Sequence, residues 1–497
     1  MSSRLSSTSS RRRLATVPAA ALIASVVAVT TGATPAAATS TAAQIATART
    51  NGVAYLHTLQ AADGSYASAG LSNEWAFSAF APAGVAAVDV YPSGDTTKNA
   101  RTVYRNQLSA ASWPGTSPVV TDYERGVLNA YAAGIDPARV SPARNLIADT
   151  IAYWQTGSAG YYGPPANVNG TIFATLALAG AKTQTGAARV PQALLDLSIT
   201  RIRNNQHNDG GWTFSQAEGN PTQLAAASDI DMTGAAMAAL CAAGVPNTDA
   251  DVVQAKNFLK GKLVNASGAF TSMFGVNTDS NAWAVSGLNA CGIPSQGSDF
   301  TTTAGKTPID FLRAQQLSGG GFKYLTTNTT PSAYASIDAV RALAGAGYTA
   351  APPTPVTAGA PTWVAASGFT AGTASRLAVI IDNGSGSVTP CAVTLTPSAA
   401  TSTLGAVLDA AVGTAAPSGC VTALNPTSGT GTITSINGLT NSGSSTWKVT
   451  RDGGTPATAT RGTTVTIGDT IYLTSNPKVP WLAGCVADFW LAEQGFH

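Results

Sequence analysis

The stretch "SDIDMTGAAMAALCAAG", residues 228–244, sets two aspartates one residue apart at the head of an alanine-rich segment. Three roles suit them. A carboxyl kept protonated can hand its proton to a substrate, a carboxyl in a cavity wall can hydrogen-bond a ligand, and either can cap a helix at the positive end of its dipole. Asp229 and Asp231 point about 200° apart on a helix of about 3.6 residues per turn, so one can cap while the other faces inward. The inward register recurs: Asp231 stands thirteen residues before Gly244, and Asp279 thirteen before Gly292. Near them lie Thr233, Asn281 and Trp283, with Asn73 and Trp75 in a matching "NEWA" segment, while Tyr123 and Tyr334 offer further aromatic faces. Together with Asp229 these are the expected ligand-binding residues, and Asp231 is the acid if the site is catalytic. Glu74, Asp122 and Glu124 fall near the same level. No metal is expected, because His57, His207 and His497 are scattered and no cysteine pair has zinc-ligand spacing.

Positioning such groups falls to an internal repeat. A glutamine stands six residues before an aromatic in Gln60/Tyr66, Gln107/Trp113, Gln155/Tyr161, Gln206/Trp212 and Gln316/Phe322, and a sixth copy, Val264/Phe270, keeps Gly268 and the aromatic but not the glutamine. Successive aromatics are 47, 48, 51, 58 and 52 residues apart. Each copy ends one helical segment, such as "GVAYLHTL" or "PIDFLRAQ". A small-residue helix follows and stops at Gly plus an aliphatic or aromatic residue, as in "AALCAAGV" and "GLNACGI". Those glycines suit a left-handed helix stop. Six hairpins make either an open solenoid or a closed ring of inner and outer helices. The small residues favour the ring: Ala and Gly let inner helices approach around a tight circle, while Tyr55, Leu56, Phe258, Leu259, Phe311 and Leu312 cover them from outside.

After residue 348 the composition changes to a Pro/Thr/Ala linker, 349–362, extended where its prolines cluster. In 363–475 strands take over: "SRLAVIIDNG", "CAVTLTP", "GTITSINGL", "STWKVTRDGG" and "GDTIYLTSN", with Asn-Gly and Asp-Gly turns and one helical stretch, "TSTLGAVLDAAVG". The predicted fold class is mainly α: a six-hairpin α/α toroid over 40–348, then a small, mostly β, α+β domain and a tail, 476–497.

Residues 1–38 read as an export signal, with Arg11 to Arg13, an apolar run and a small-residue cleavage site near Ala38. "SRRRLA" also suits twin-arginine export. The expected product is secreted and carries no membrane anchor. Its 23 basic and 25 acidic residues leave no electrostatic footprint for nucleic acid. An exported chain permits disulfides. Cys391 with Cys420 and Cys241 with Cys291 are the expected pairs, which leaves Cys485 over.

The Gln-x-x-x-Gly-x-aromatic repeat, over roughly residues 40–350, resembles that of squalene and terpenoid cyclases and of the protein prenyltransferase toroid. The resemblance implies that Gln206 and Trp212 staple outer helices together and do no chemistry. For a class II cyclase it also implies an Asp-x-Asp-Asp-Thr-Ala acid motif, of which "DIDMTG" keeps Asp229, Asp231 and Thr233 and has Met232 at the third aspartate. The Asp-x-Cys of a prenyltransferase zinc site is missing from the sequence. From about 370 to 475 the order of an "LDA" helix, "ITSING", a Trp-bearing strand and "GDTI" is similar to the transcobalamin-like C-terminal domain. A toroid followed by this domain is the plan of cobalamin carriers. It implies a binding protein holding cobalamin or another bulky ligand between toroid and β domain. A squalene-type cyclase with Asp231 as general acid is the alternative. A third is a carbohydrate-active or cell-surface interaction protein with Asp231 and Asp279 as a carboxylate pair.

Overall fold

The computed structural model of the chain describes residues 39–66, 73–155, 157–364, 370–412, 420–442 and 445–475; the side chains of residues 73 and 74, the expected export signal, Cys485 and the 476–497 tail lie outside the described residues. Thirteen described helices precede the linker: α1 (Ala42–Thr58), α2 (Asn73–Phe80), α3 (Ala100–Ser109), α4 (Val120–Ala132), α5 (Leu146–Ile151), α6 (Asn169–Gly180), α7 (Gln192–Asn204), the single-turn α8 (Pro221–Leu224), α9 (Ile230–Ala242), α10 (Ala250–Gly261), α11 (Thr278–Ala290), α12 (Pro308–Ala314) and α13 (Ala333–Leu343). Packing runs from α2 to α4, α6, α9, α11, α13 and back to α2, so six small-residue helices close a ring, with α1, α3, α5, α7, α10 and α12 against its outside.

Two features of the small residues explain the ring. Gly244 and Gly292, at φ 96° and 66°, end α9 and α11; the next residues turn back, Val245 N–H to Leu240 O at 3.0 Å and Ile293 N–H to Leu288 O at 2.9 Å. This closure satisfies a late helical carbonyl and requires the left-handed glycine, which is why Gly is followed by an aliphatic residue. Gly234 and Gly287 let α9 and α11 meet backbone to backbone, since a Cβ on Gly287 would stand 2.4 Å from the Gly234 carbonyl oxygen.

The repeat motif supplies the stitching. Gln206 Nε2 donates to the Gly210 carbonyl of its own loop (2.8 Å) and to the Asp251 carbonyl of α10 (2.9 Å); Gln316 Nε2 donates to Gly320 O (2.9 Å) and to Ala48 O of α1 (2.7 Å). A second stitch joins the last four motif loops to their inner helices. Trp212 N–H donates to Thr233 Oγ1 (3.1 Å), Phe270 N–H to Asn281 Oδ1 (2.5 Å) and Phe322 N–H to Ser336 Oγ (2.8 Å). In the third copy Tyr162, not Tyr161, makes this bond, to Thr171 Oγ1 at 3.0 Å. Thr233→Val leaves a buried N–H without an acceptor, so the urea midpoint is expected to fall by the equivalent of about 1–3 kcal/mol; an unchanged midpoint would remove the stitch from the account.

Beyond the linker come β1 (Ser375–Asp382), β2 (Val388–Leu395), β3 (Thr401–Thr403), α14 (Leu404–Ala411), β4 (Leu424–Asn425), β5 (Ser435–Ile436), β6 (Leu439–Thr440), β7 (Lys448–Arg451), β8 (Ala457–Thr458), β9 (Thr464–Thr466) and β10 (Thr470–Thr474). The main sheet has the order β2-β1-β10-β7-β8, with β1 and β10 parallel and the other pairs antiparallel. The expected strand "GTITSINGL" is instead a small hairpin, because Asn437 and Gly438 adopt φ 54° and 81° and turn the chain between β5 and β6. Leu377, Val379 and Ile381 share a core with Leu404, Val407 and Leu408 of α14; Ala378 and Ile380, on the other face, join the core of the ring. Both faces being covered, β1 reads as a nearly continuous apolar run. Both expected disulfides are formed, Cys241–Cys291 between the ends of α9 and α11 and Cys391–Cys420 between β2 and the segment before β4. No described helix is long and apolar enough to cross a membrane.

Candidate functional site

The inner helices run in one direction. Asp231 hydrogen-bonds Ser280 near the N-terminal ends of α9 and α11, and Cys241 joins Cys291 at their other ends; along α2 and α13, Trp75 meets Tyr334 early and Ser78 meets Arg341 later. Their first turns therefore surround one mouth of the ring, and the carboxylates of α9 and α11 stand in those turns.

Asp231 and Asp279 are half-buried, and each has one enclosed oxygen with no hydrogen-bond partner among the described residues. Asp338, deeper on α13, completes the cluster. Burial pushes the Asp231 carboxyl up to about 6, against the Ser280 hydrogen bond, with Asp229 and Asp338 adding repulsion. Asp279 is pushed up to about 8 by burial and by repulsion from Asp338 and Asp231, while Arg341 pulls the other way. Asp338 is raised too, by burial, although Arg341 and Trp283 hold its charge. The helix N-termini favour ionised carboxylates by only about 0.3–1 kcal/mol, less than one pK unit, so burial decides the direction.

Among the described residues the cation of this cluster, Arg341, is already committed. Arg341 Nη2 lies 2.6 Å from Asp338 Oδ1, Nε donates to Ser286 Oγ at 3.1 Å and Nη1 to Ser78 Oγ at 3.2 Å, and the guanidinium sits 4.4 Å from the centre of the Tyr348 ring. Asp231 and Asp279 thus form no ion pair among the described residues, and with the two pushed up to about 6 and about 8 the pair retains a proton near neutral pH. Aromatic rings stand beside them. Trp283 donates Nε1–H to Asp338 Oδ2 at 3.2 Å and meets Phe173 at 5.8 Å and Tyr348 at 5.2 Å between centroids; Trp75 meets Tyr334 at 6.3 Å and lies under the Arg125 guanidinium at 5.7 Å. A carboxyl that keeps its proton is a good hydrogen-bond donor and a weak acid, suited to neutral acceptors more than to protonating a double bond.

The expected ligand-binding set divides. Asp231, Asp279, Trp283, Trp75 and Tyr334 gather at this mouth. Asp229 is the cap of α9, its Oδ1 accepting the Met232 N–H at 2.7 Å. Thr233 and Asn281 are fully buried and spend their side chains on the motif loops, Asn281 also donating to Phe270 O and Asn277 O. Tyr123 packs between Trp113 and Tyr153, at 5.5 and 5.7 Å, in a separate aromatic cluster. For these four, a contact inside the protein takes the place of the expected ligand contact. The Asn73 side chain lies outside the described residues. Asp122 pairs with Arg125 at 2.6 Å, and Glu124 is buried in the wall near Tyr162, its carboxyl pushed well up by burial. Phe173, Asp338, Arg341 and Tyr348 escaped the sequence reading. The signal available was the Asp-x-x-Arg pair in "ASIDAVRAL", a charge pair inside an otherwise small and apolar helix.

At the junction of the two parts, where the resemblance to cobalamin carriers puts a ligand, described residues of both parts meet directly. Arg139 Nη2 reaches Asp452 (3.0 Å) and Asp469 (2.6 Å), Arg189 reaches Asp136 (2.5 Å) and Asp452 (3.2 Å), Arg376 reaches Asp149 (2.6 Å), and α5 and α7 pack on the sheet.

No protein-family model matches the chain, and no curated protein matches it. Among solved structures the chain is similar to a type II terpene cyclase from Scytonema, MstE, at 11% identity and a TM-score of 0.39, over 61% of this chain and 98% of that one. It is similar to haptocorrin in complex with Cbi at 13% identity and a TM-score of 0.34, over 86% and 96%, and to a polysaccharide lyase at 12% and 0.39, over 62% and 97%. No chemistry passes from any of them to this chain.

Proposed function

We propose that the protein is a secreted binding protein whose helical ring takes a bulky ligand bearing neutral amide or hydroxyl groups, with cobalamin and related corrinoids as first candidates. The observation that carries this reading is the carboxyl pair of Asp231 and Asp279, which forms no ion pair among the described residues and leaves an enclosed oxygen of each residue without a hydrogen-bond partner there. A protonated carboxyl donates and an ionised one accepts, so a shared proton matches the amide group, which does both. Aromatic walls suit the apolar body of such a ligand. The apolar run after Arg11 to Arg13 and the two disulfides favour an extracellular setting. The cyclase reading is served less well. Met232 stands where its acid motif has an aspartate, and burial pushes Asp231, the residue that would be the acid, up to about 6, which makes it a weaker acid than an ordinary aspartate.

Titration of the mature protein with cobalamin and with cobinamide, followed by corrin absorption and tryptophan quenching, is expected to show stoichiometric binding of at least one. Binding of neither sinks the corrinoid assignment. Asp231→Asn keeps a donor at the site, so a binding protein should retain most of its affinity, whereas a cyclase would lose all turnover.

A further inference from the structure

Around the same mouth the protein keeps several large apolar side chains exposed. Val119, Phe214, Met273, Phe274 and Tyr334 are 49, 49, 71, 65 and 43% exposed. Val119 is the cap of α4, Tyr334 stands in the first turn of α13, Met273 and Phe274 lie in the loop before α11, and Phe214 lies in the loop before α8, bonded to Val168 at the cap of α6. A large apolar side chain gains from leaving water, and a cluster of them kept on display marks a contact surface. These are not loose loops. Met273 and Phe274 form the tip of a turn closed by Ser272 N–H to Gly275 O at 3.1 Å and Gly275 N–H to Ser272 O at 3.0 Å, with Phe274 N–H on Ser272 Oγ at 3.0 Å. Phe214 is fixed by its carbonyl, which accepts the Val168 N–H at 3.0 Å, and by the bridge between Asn167 and Ser215. Tyr334 touches Trp75, so the lip continues into the aromatic wall of the ring.

We infer that this lip is the second half of the binding site and that the ligand is an amphipath, its neutral hydrogen-bonding end held by Asp231 and Asp279 and its apolar body lying across Phe214, Met273, Phe274 and Tyr334. The inference rests on reading the carboxyl pair as a binding site and adds the class of ligand. It assigns the lip to the ligand and not to a membrane.

A series of primary alcohols, 1-octanol, 1-decanol and 1-dodecanol, tests it through tryptophan quenching. With a methylene worth about 0.8 kcal/mol when fully buried, affinity is expected to rise up to about fourfold per carbon in the wild type. The double variant Met273→Ser/Phe274→Ser should flatten that rise and leave 1-octanol nearly unchanged. Asp231→Ala/Asp279→Ala should weaken all three alcohols by a similar factor. A flat series in the wild type, or an unchanged rise in the Met273→Ser/Phe274→Ser protein, overturns the inference. If the rise depends on Met273 and Phe274 but the two alanines at 231 and 279 change nothing, the lip stands and the carboxyl reading falls. Binding to neutral phosphatidylcholine vesicles that needs Met273 and Phe274, with the alcohol series unaffected by them, gives the lip to a lipid surface and also overturns the inference.

Discussion

Between pH 5 and pH 9 the protein is expected to lose stability, and Asp279→Asn to lose markedly less of it. The sign follows from proton counting. An aspartate in the unfolded chain titrates near pH 3.9, whereas burial and repulsion push Asp279 to about 8 and Asp231 to about 6 in the folded ring. From about pH 4 to about 8 the folded state therefore holds protons that the unfolded state has released, and stability falls as pH rises. The contribution is whole below the unfolded value and gone above the folded one. A two-unit rise such as that of Asp231 corresponds to about 3 kcal/mol. Groups whose carboxyls are held low, such as Asp209, Glu218 and Asp310, act in the opposite sense but below this window. His57, lowered by burial, also acts oppositely, below the ordinary histidine value. Glu124, raised by burial, adds to the wild-type slope and stays in the variant, which is why the comparison with Asp279→Asn isolates the pair. Urea unfolding across the window measures it, and equal slopes in the two proteins would show that Asp279 is ionised throughout. Ligand affinity should follow the same course, since the proton that is lost is the one donated to a neutral acceptor.

A repeat that keeps residue types is legible in a sequence; one that keeps only a role is not. Five glutamines at fixed distance from an aromatic, and glycines ending the small-residue helices, pointed to six hairpins and a ring. The acceptor of the motif N–H escaped notice because it is Thr171, Thr233, Asn281 and Ser336 in successive copies, four short polar side chains doing one job. That job is why Thr233 and Asn281, read as ligand groups from their nearness to Asp231 and Trp283, are structural. Asp231 and Asp279 were legible because both lie thirteen residues before a left-handed glycine, a fixed number of turns down parallel helices. Asp338 has no such mark, sitting two turns deeper, and its role depends on Arg341 and on Trp283 of the next helix. The β part was readable strand by strand from its turns. Its seat on the ring was not, because the contacts that fix it join residues more than two hundred positions apart, as in Arg376 with Asp149.

Arg189→Ala is expected to cost about 3–5 kcal/mol, the range found when one member of a buried ion pair is removed. Arg189 is 1% exposed and bridges the ring to the β part, with Nη2 on Asp136 at 2.5 Å and Nη1 near Asp452 at 3.2 Å. Arg139 lies beside it and holds the same two aspartates and Asp469, so two arginines serve three carboxylates. Without Arg189, Asp136, Asp452 and Asp469 share one partly exposed guanidinium, and the uncompensated charge is the costly term. Asp452 has a second duty: at φ 45° it forms the turn after β7, and its Oδ1 accepts the Thr470 N–H of β10 at 2.9 Å, so losing its ion partner also loosens the centre of the sheet. Arg139→Ala should cost less, because Arg139 is 20% exposed and water can reach the aspartates it leaves. The sheet is expected to report first. Near-ultraviolet dichroism from Trp447, buried against the sheet, should change at lower urea than the far-ultraviolet signal of the ring helices in Arg189→Ala, and together with it in the wild type. A cost below about 1 kcal/mol, the scale of an exposed pair, would show that apolar packing of Ala378, Ile380 and Tyr472 on the ring is what seats the β part, and that the ion cluster is incidental to it.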